Sequence, residues 1–377
     1  MKKQILIFIS ILLLVVVILP ACACADGVST TARESILISE DGQVLQEQNA
    51  LEKRPIASMT KVMTLLCIYD AIELGKISLE DVVVVSERAA SMGGSQVFLE
   101  ANGSYKVEDL VKSIIVCSAN DSCVAMAEHI SGSVENFVAQ MNNKCRQIGL
   151  VATHFENCTG LPAVSQYSCA KDVATMFLRL IQHPHYYTCA NIWMEDFVHP
   201  SGRVTGMTNT NKLVRFYQGC DAGKTGFTCE AQHCLVATAK RNDTRVIAVV
   251  VGAKDSKTRF KEVSDMFNYA FANYQSKVYM TPSDVKRVKV DGGKQQIIDV
   301  MPAEKLLAFG KKGQTEYTLQ CDLPSLLKAP VTKGQVVGQA NLIDKNGNVV
   351  KSVELVSTCD VQSKTYWDYV QQIATSN

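Results

Sequence analysis

The chain has 377 residues, of which 47% are hydrophobic and 20% charged, the composition of a globular protein. This excludes a disordered chain, a collagen, a coiled coil and a multi-span membrane protein, and the length predicts two domains. The formal net charge of +1 gives no field that would attract a polyanion, so no nucleic acid partner is expected.

Residues 1–25 have the pattern of a secretory signal peptide. Two lysines precede an apolar run of about 15 residues from Ile5 to Leu19, and small residues follow as far as Ala25. The run is shorter than the roughly 20 residues that cross a bilayer, so a retained anchor helix is the weaker alternative. Lipid modification at Cys22 is a further alternative to cleavage after Ala25. We expect an exported protein that works at the cell wall or the outer face of the cytoplasmic membrane.

Twelve of the fourteen cysteines follow this leader. Several of them, such as Cys67, Cys123 and Cys169, lie in apolar or helix-like stretches, where a reduced cysteine packs as a small hydrophobe. Exported chains also form disulfides, so reduced thiols and one or two bridges both remain open. The six histidines show no zinc-ligand spacing, so neither a metal nor a metallopeptidase is expected.

The first half of the mature chain predicts a hairpin followed by a block of helices. Residues 36–38 and 44–45 flank an Asp-Gly pair, which supplies the positive φ of a tight turn. From Ser58 onward, apolar residues recur at three- and four-residue intervals, so a helix is predicted with Ser58 near its start. Further helices are predicted at residues 107–116, 121–130, 134–148 and 170–181.

Strand patterns return in the second half. Residues 234–239 and 246–251 are predicted as buried antiparallel strands, and residues 258–274 as a helix. We therefore predict an α/β domain of the α+β kind over residues 26–282, in which helices pack against an antiparallel sheet.

A small all-β domain and an amphipathic tail are predicted to follow. Short alternating runs and a turn at residues 345–348 place the β domain at residues 283–358. In the tail, residues 359–377, apolar side chains share one helical face. Packing on the protein and peripheral contact with a membrane are both open; Lys364 is the only basic residue of the amphipathic stretch, so anionic lipid would add little affinity.

Ser58 and Lys61 form a Ser-x-x-Lys motif. Positions i and i+3 of a helix share a face, so the amine lies within reach of the hydroxyl. A serine needs a base that removes its proton, and a lysine can serve when burial or another cation lowers its pKa. The motif alone is weak, because it also occurs at residues 168–171, 283–286 and 325–328.

Two further motifs follow in order along the chain. Ser118-Ala119-Asn120 lies at the junction of two predicted helices, and Lys224-Thr225-Gly226 introduces the closing strands. Ser-x-x-Lys, a Ser-Asp-Asn type motif and Lys-Thr-Gly form the set found in class A β-lactamases and penicillin-binding proteins. The ordered set, rather than any one motif, predicts acyl-transfer chemistry.

The sequence around these motifs resembles the serine-type D-alanyl-D-alanine carboxypeptidases, the low-molecular-mass penicillin-binding proteins. The stretches that carry the resemblance are residues 54–61, 92–96, 118–121, 127–130 and 223–228. The resemblance implies a transpeptidase-like, β-lactamase-like fold and removal of the terminal D-alanine from peptidoglycan pentapeptide. It also implies that β-lactams are covalent inhibitors and that no cofactor is used.

The resemblance assigns catalytic roles by position. Ser58 would form the acyl-enzyme, and Lys61 would accept its proton. Ser118 would relay a proton toward the leaving D-alanine, and Asn120 would hold the substrate amide.

It assigns binding roles in the same way. Lys224 and Thr225 would meet the substrate carboxylate, and Gly226 completes their motif. The backbone N–H groups of the nucleophile and of Phe227 would form the oxyanion hole. Arg259 matches a family arginine placed for the carboxylate; a surface arginine on the closing helix is the alternative.

Two departures and three alternative functions accompany the resemblance. Ala119 stands where the family has glycine, which predicts a methyl group beside the cleft, and Cys158 stands where it has proline.

A class A β-lactamase needs a Glu-x-x-Leu-Asn loop, which is absent between Ser118 and Lys224. A β-lactam or peptidoglycan sensor needs a spanning segment, and none is predicted after the leader. In an adhesion module the ordered motifs would have no chemical role and would occur together by chance.

Overall fold

A computed structural model describes residues 27–314 and 316–375. The predicted signal peptide and Cys22 lie outside these residues. The strands are β1 (Glu34–Ser39), β2 (Val44–Gln48), β3 (Val82–Val84), β4 (Ser104–Lys106), β5 (Met194–Val198), β6 (Val204–Thr208), β7 (Cys220–Thr228), β8 (Gln232–Arg241), β9 (Thr244–Ala253), β10 (Tyr274–Met280), β11 (Lys286–Asp291), β12 (Ile297–Pro302), β13 (Leu306–Lys311), β14 (Thr318–Asp322), β15 (Leu326–Lys328), β16 (Val336–Ile343) and β17 (Val349–Ser357). The helices are α1 (Lys61–Glu73), α2 (Glu87–Ala90), α3 (Val107–Val116), α4 (Asn120–Ser131), α5 (Val134–Gln147), α6 (Ala170–Leu180), α7 (Pro184–Ala190), α8 (Leu213–Phe216), α9 (Ser256–Asn273) and α10 (Tyr366–Thr375).

The central sheet has five antiparallel strands in the order β2-β1-β9-β8-β7. The predicted hairpin, β1 and β2, and the predicted strands β8 and β9 are confirmed. Every residue of β1 and β9 is buried, because both faces of the sheet are covered. Strand β7 forms one edge, so within this sheet only one side of its backbone is paired.

Helices cover the two faces of the sheet. On one face, α1 and α3 to α6 enclose the larger core, where Leu65, Ile114 and Phe177 are fully buried. On the other face, α9 packs Val263 and Phe267 against β8 and β9. The predicted α+β fold class is therefore confirmed, with α3 to α6 and α9 within two residues of their predicted bounds.

A β-rich region follows α9. Six strands form a sheet in the order β14-β16-β17-β12-β11-β15, and β10 pairs with β13 in a separate two-stranded sheet. The chain then ends its described part in α10, where Tyr366 and Trp367 are both exposed. In residues 27–314 and 316–375, no helix combines the length and the apolar character needed to cross a membrane.

Candidate active site

Ser58 lies in a 3₁₀ turn, Ala57–Thr60, that leads directly into α1. Ala57 has a φ of +48°, which is uncommon for a residue other than glycine and turns the chain just before the serine. Lys61 is the first residue of α1, and its Nζ lies 3.0 Å from Ser58 Oγ. The turn therefore places the amine and the hydroxyl within hydrogen-bond distance.

Lys61 has two further partners, both of them carbonyl oxygens. Its Nζ donates to Asn120 Oδ1 and to the Thr159 main-chain oxygen, each at 2.6 Å. The side chain is fully buried, and this burial lowers the pKa of Lys61 from its ordinary 10.5. A neutral amine has two N–H bonds and one lone pair. In that neutral form both N–H bonds can be directed to these two oxygens, which leaves the lone pair to accept the hydroxyl proton of Ser58.

A second serine–lysine pair lies beside the first. Ser118, at the junction of α3 and α4, has a φ of +67°, and its Oγ accepts from Lys224 Nζ at 2.7 Å. Lys224 extends from β7, is 1% exposed and also donates to the Thr225 carbonyl at 3.2 Å. Burial, and then the neighbouring charge of Lys61, hold the pKa of Lys224 well below 10.5. Two buried cations this close oppose each other's protonation.

Asn120 is the first residue of α4 and is fixed from two sides. Its backbone N–H donates to the Ser95 carbonyl and its Nδ2 donates to the Gly93 carbonyl, both at 2.7 Å. Gly94 has a φ of +80°, and a Cβ at that position would lie 2.8 Å from Asn120 Nδ2. Gly94 thus lets the loop close over Asn120, whose Oδ1 faces Lys61. The second N–H of Nδ2 is the group that a substrate amide can use.

Asp121 anchors the same loop, and the sequence analysis missed it. Its buried carboxylate accepts from the backbone N–H groups of Val97 and Leu99 at 3.1 and 3.0 Å. Burial raises the pKa of Asp121, and these backbone donors oppose that shift. Because Asp121 follows Asn120 directly, the acid fixes the loop that holds the amide.

The edge strand β7 passes directly over the turn Ala57–Thr60, which carries the predicted nucleophile Ser58 and is called the nucleophile turn below. A Cβ at Gly226 would lie 2.5 Å from the Ile56 carbonyl oxygen and 3.2 Å from the backbone nitrogen of Ser58. Phe227, which follows, is 57% exposed and stacks on His233 with ring centroids 4.4 Å apart. Only glycine permits this approach, so the backbone after the Lys-Thr-Gly motif meets the backbone of the serine.

A tight turn after α5 supports the other side of the nucleophile. Asn157 Oδ1 accepts from the backbone N–H groups of Thr159 and Gly160 at 3.1 and 2.8 Å. Gly160 has a φ of +85°, and a Cβ there would lie 2.0 Å from the Ala57 carbonyl oxygen. This turn delivers the Thr159 carbonyl to Lys61. Cys158, the residue that replaces the family proline, is fully buried within it.

Arg259 lies on α9 and Thr225 on β7, the two elements beside the contact between Gly226 and the nucleophile turn. Arg259, on α9, is 9% exposed, so the alternative of a surface arginine is wrong. Its Nη1 donates to the carbonyls of Gly226 and Cys234 at 3.0 and 3.3 Å, and burial lowers its pKa. Thr225, on β7, is 6% exposed beside Lys224. All nine predicted site residues therefore lie on the nucleophile turn, the start of α1, the α3–α4 junction, β7 or α9.

The methyl group of Ala119 does not stand beside the cleft. Ala119 is fully buried and belongs to the larger core, so that expectation is wrong. The residue packs inward because Ser118 and Asn120 on either side of it turn toward the site.

The thiols near the site are not additional bases. All twelve cysteines of residues 27–314 and 316–375 are free, so no disulfide forms among them. Burial raises the pKa of Cys123 to about 11 and that of Cys117 to about 12. Both therefore remain protonated near neutral pH and act as small packing groups.

One group of side chains outside the site has metal-ligand chemistry. Ligand atoms of Asp70, Glu73 and His183 lie within 4.8 Å of one another. Asp70 is paired with Lys144 at 2.7 Å, and His183 Nδ1 lies 2.9 Å from Glu73. Asp70 and His183 therefore already have charged partners in the protein, and we propose no metal site here.

An ion pair between the buried Glu34 and the partly exposed Arg54 ties the segment before Ser58 to the sheet and the helical block, and it too was missed. Glu34 on β1 is fully buried and accepts from the backbone N–H of Ala170 at the start of α6, at 2.9 Å. Arg54 Nε lies 3.3 Å from Glu34 Oε1, and the Arg54 backbone pairs with that of Ser168. Burial raises the pKa of Glu34 to about 7.

This pKa has a consequence for stability. A carboxyl that binds its proton more tightly in the folded state contributes stability below pH 4.5 and loses it as the pH rises through about 7. We expect Glu34→Gln to remove about 3 kcal/mol of the pH-dependent change in the free energy of unfolding. Urea unfolding at pH 4.5 and 8 measures it, with Glu47→Gln on the exposed side of β2 as control. An unchanged pH dependence in Glu34→Gln would contradict the assignment.

The sheet, its helical faces and the two serine–lysine pairs define the transpeptidase-like class of serine enzymes. The sequence profile of the D-alanyl-D-alanine carboxypeptidases, peptidase S11, matches residues 22–255. The profile of the penicillin-binding protein 5 C-terminal domain matches residues 275–363. The chain belongs to the D-alanyl-D-alanine carboxypeptidase family.

Individual relatives support this membership over most of the chain. The D-alanyl-D-alanine carboxypeptidase DacF of Bacillus subtilis is 37% identical over 361 residues, covering 93% of this chain and 92% of that protein. DacC of Escherichia coli is 32% identical, covering 92% and 89%. The crystal structure of penicillin binding protein 5 from Haemophilus influenzae superposes with a TM-score of 0.67 at 31% identity, covering 89% of this chain and 99% of that one.

Proposed function

We propose that this protein is a serine D-alanyl-D-alanine carboxypeptidase that removes the terminal D-alanine of peptidoglycan pentapeptide. The main support for the proposal is the environment of Lys61 Nζ. This atom is buried, has no carboxylate partner among the described residues and lies 3.0 Å from Ser58 Oγ. Membership of the family supplies the substrate class.

In the acylation step, Lys61 Nζ takes the proton of Ser58 as Oγ attacks the carbonyl carbon of the penultimate D-alanine. The oxygen of that carbonyl becomes negative and is stabilised by the backbone N–H groups of Ser58 and Phe227. The peptide bond then breaks, and Ser118, hydrogen-bonded to Lys224, passes a proton to the departing amine. D-alanine leaves, and the ester on Ser58 is hydrolysed by water.

The free carboxylate of the substrate lies toward the second pair. Lys224 supplies positive potential there and the Thr225 hydroxyl donates a hydrogen bond. Arg259 adds charge from behind β7 through its contact with the Gly226 carbonyl. Asn120 holds the substrate amide with the N–H that the loop leaves for it. A carboxylate-binding end favours a peptidase that cuts at the last residue over an internal peptidase.

A β-lactamase is less well supported. Such an enzyme needs a carboxylate that activates the deacylating water, and in residues 27–314 and 316–375 no Asp or Glu side chain hydrogen-bonds to Ser58 or Lys61. β-lactams would therefore acylate Ser58 and leave slowly, which makes them covalent inhibitors. The adhesion alternative gives no reason for two buried lysines in one cleft.

Release of D-alanine tests the proposal. The purified protein should release one D-alanine per molecule of Nα,Nε-diacetyl-Lys-D-Ala-D-Ala and should not act on the same peptide ending in L-alanine. A D-amino acid oxidase assay measures the product. Equal release from both peptides, or from neither, would count against a D,D-carboxypeptidase.

Membership of a family that acts on cell-wall peptidoglycan supports action outside the cytoplasm. The finer location that we propose is the cell wall or the outer face of the membrane. The exposed Tyr366 and Trp367 of α10 support peripheral contact of the tail with a membrane surface, because aromatic side chains favour that interface.

A further inference from the structure

A cavity of about 320 Å³ opens beside the nucleophile turn, and none of the nine predicted site residues lines it. Its walls come from residues 55–57 before Ser58, residues 160–166 after the Asn157 turn, and Thr228 and Glu230 at the end of β7. The volume falls at the lower end of small-molecule sites, enough for one side chain of a substrate.

The position of the cavity along β7 identifies the part of the substrate that reaches it. In the proposed mechanism the substrate carboxylate lies at Lys224 and Thr225, and the carbonyl under attack lies at Phe227. A strand advances about 3.3 Å per residue, so Thr228 lies about 10 Å beyond Thr225. A peptide that lies antiparallel along the free edge of β7 therefore brings its third residue from the C-terminus, the diamino acid, to the cavity.

The chemistry of the walls identifies the kind of side chain. The lining is mainly apolar, with Leu161, Pro162 and the fully exposed Val164 along one wall. Glu230 is the one charged residue of the lining; it is exposed, and no hydrogen bond or ion pair of its side chain is found among the described residues. Apolar walls with one carboxylate at the rim complement an alkyl chain that ends in a cation.

We propose that this cavity binds the side chain of the stem-peptide diamino acid as an alkylammonium, with its methylene groups on Leu161 and Val164 and its ammonium at Glu230. This proposal rests on the carboxypeptidase function. A side chain that ends in a second free carboxylate would bring like charges together at Glu230, so the cavity favours lysine or an amidated diamino acid.

Three substrates of the form Nα-acetyl-Xaa-D-Ala-D-Ala test the proposal, with lysine, Nε-acetyl-lysine or alanine as Xaa. We expect kcat/KM of the wild type to be about threefold to fivefold higher for lysine than for Nε-acetyl-lysine, through KM, because the ion pair is partly exposed. The value for alanine should be about tenfold below that for lysine, since the methylene contacts are lost as well.

Glu230→Gln should equalise lysine and Nε-acetyl-lysine, and Glu230→Lys should reverse their order. Glu354→Gln, which removes an exposed carboxylate from β17 in the β-rich region, is the matched control and should keep the wild-type preference. Equal wild-type values for lysine and Nε-acetyl-lysine, or a preference that survives in Glu230→Gln, would overturn the proposal while leaving the carboxypeptidase function intact. Release of D-alanine from none of the three peptides would overturn both.

Discussion

Replacing Ser58 by alanine should lower D-alanine release by about 10⁴-fold or more and abolish labelling by a fluorescent penicillin. Among the described residues, Ser58 Oγ is the one hydroxyl hydrogen-bonded to the buried Lys61 amine, at 3.0 Å, so we expect no other hydroxyl to substitute. Ser118, the other serine of the cleft, is hydrogen-bonded to Lys224 rather than Lys61. Gel fluorescence after incubation with the penicillin, together with the D-alanine assay, measures both effects.

Ser283→Ala is the matched control for this variant. Ser283 and Lys286 form the same Ser-x-x-Lys pattern in the exposed start of the β-rich region. The control should retain full labelling and full activity, because Ser283 lies outside the site. No buried lysine, strand β7 or glycine turn surrounds it. Persistent labelling of the Ser58→Ala protein would remove Ser58 from the mechanism.

Replacing Lys61 by arginine should lower the rate constant of penicillin acylation by about 10³-fold. A guanidinium keeps its proton at all ordinary pH values, so it cannot accept one from Ser58. The same change keeps the positive charge, which separates proton transfer from simple electrostatic attraction. Lys171→Arg, in the Ser-x-x-Lys pattern at the start of α6, is the control and should acylate at the wild-type rate.

The pH dependence of acylation gives the same test in the unmodified protein. Burial lowers the pKa of Lys61 below 10.5, and only the neutral amine can act as base. The acylation rate constant should therefore fall as the pH drops through that lowered pKa and stay high above it. Lys61→Arg should lose this acidic limb, and a limb that persists in the variant would assign the titration to another group.

The catalytic motifs were predictable from sequence because their chemistry depends on local spacing. Ser58 and Lys61 are three residues apart at a helix start, so a helical pattern alone places their side chains together. The order of Ser118 and Lys224 then predicts a common cleft. Strong periodicity also predicted α3 to α6 and α9, since each is long and buries one broad apolar face.

The supports of the site were not predictable in the same way. The Thr159 carbonyl reaches Lys61 from 98 residues away along the chain, and Glu34 meets Ala170 across 136 residues. No local pattern encodes such contacts, because they form only when the sheet and the helical block assemble. The two-stranded sheets β3–β4 and β5–β6 were missed for a related reason: three to five residues give too little periodicity to separate strand from loop.

The residue that benzylpenicillin modifies decides whether Ser58 is the nucleophile. The protein is incubated with benzylpenicillin, digested with protease and examined by tandem mass spectrometry. We expect the penicilloyl group on Ser58, in the peptide that contains residues 55–61, and unmodified Ser118. Attachment to Ser118 or any other residue, or no adduct at all, would contradict the claim that the buried Lys61 amine activates Ser58.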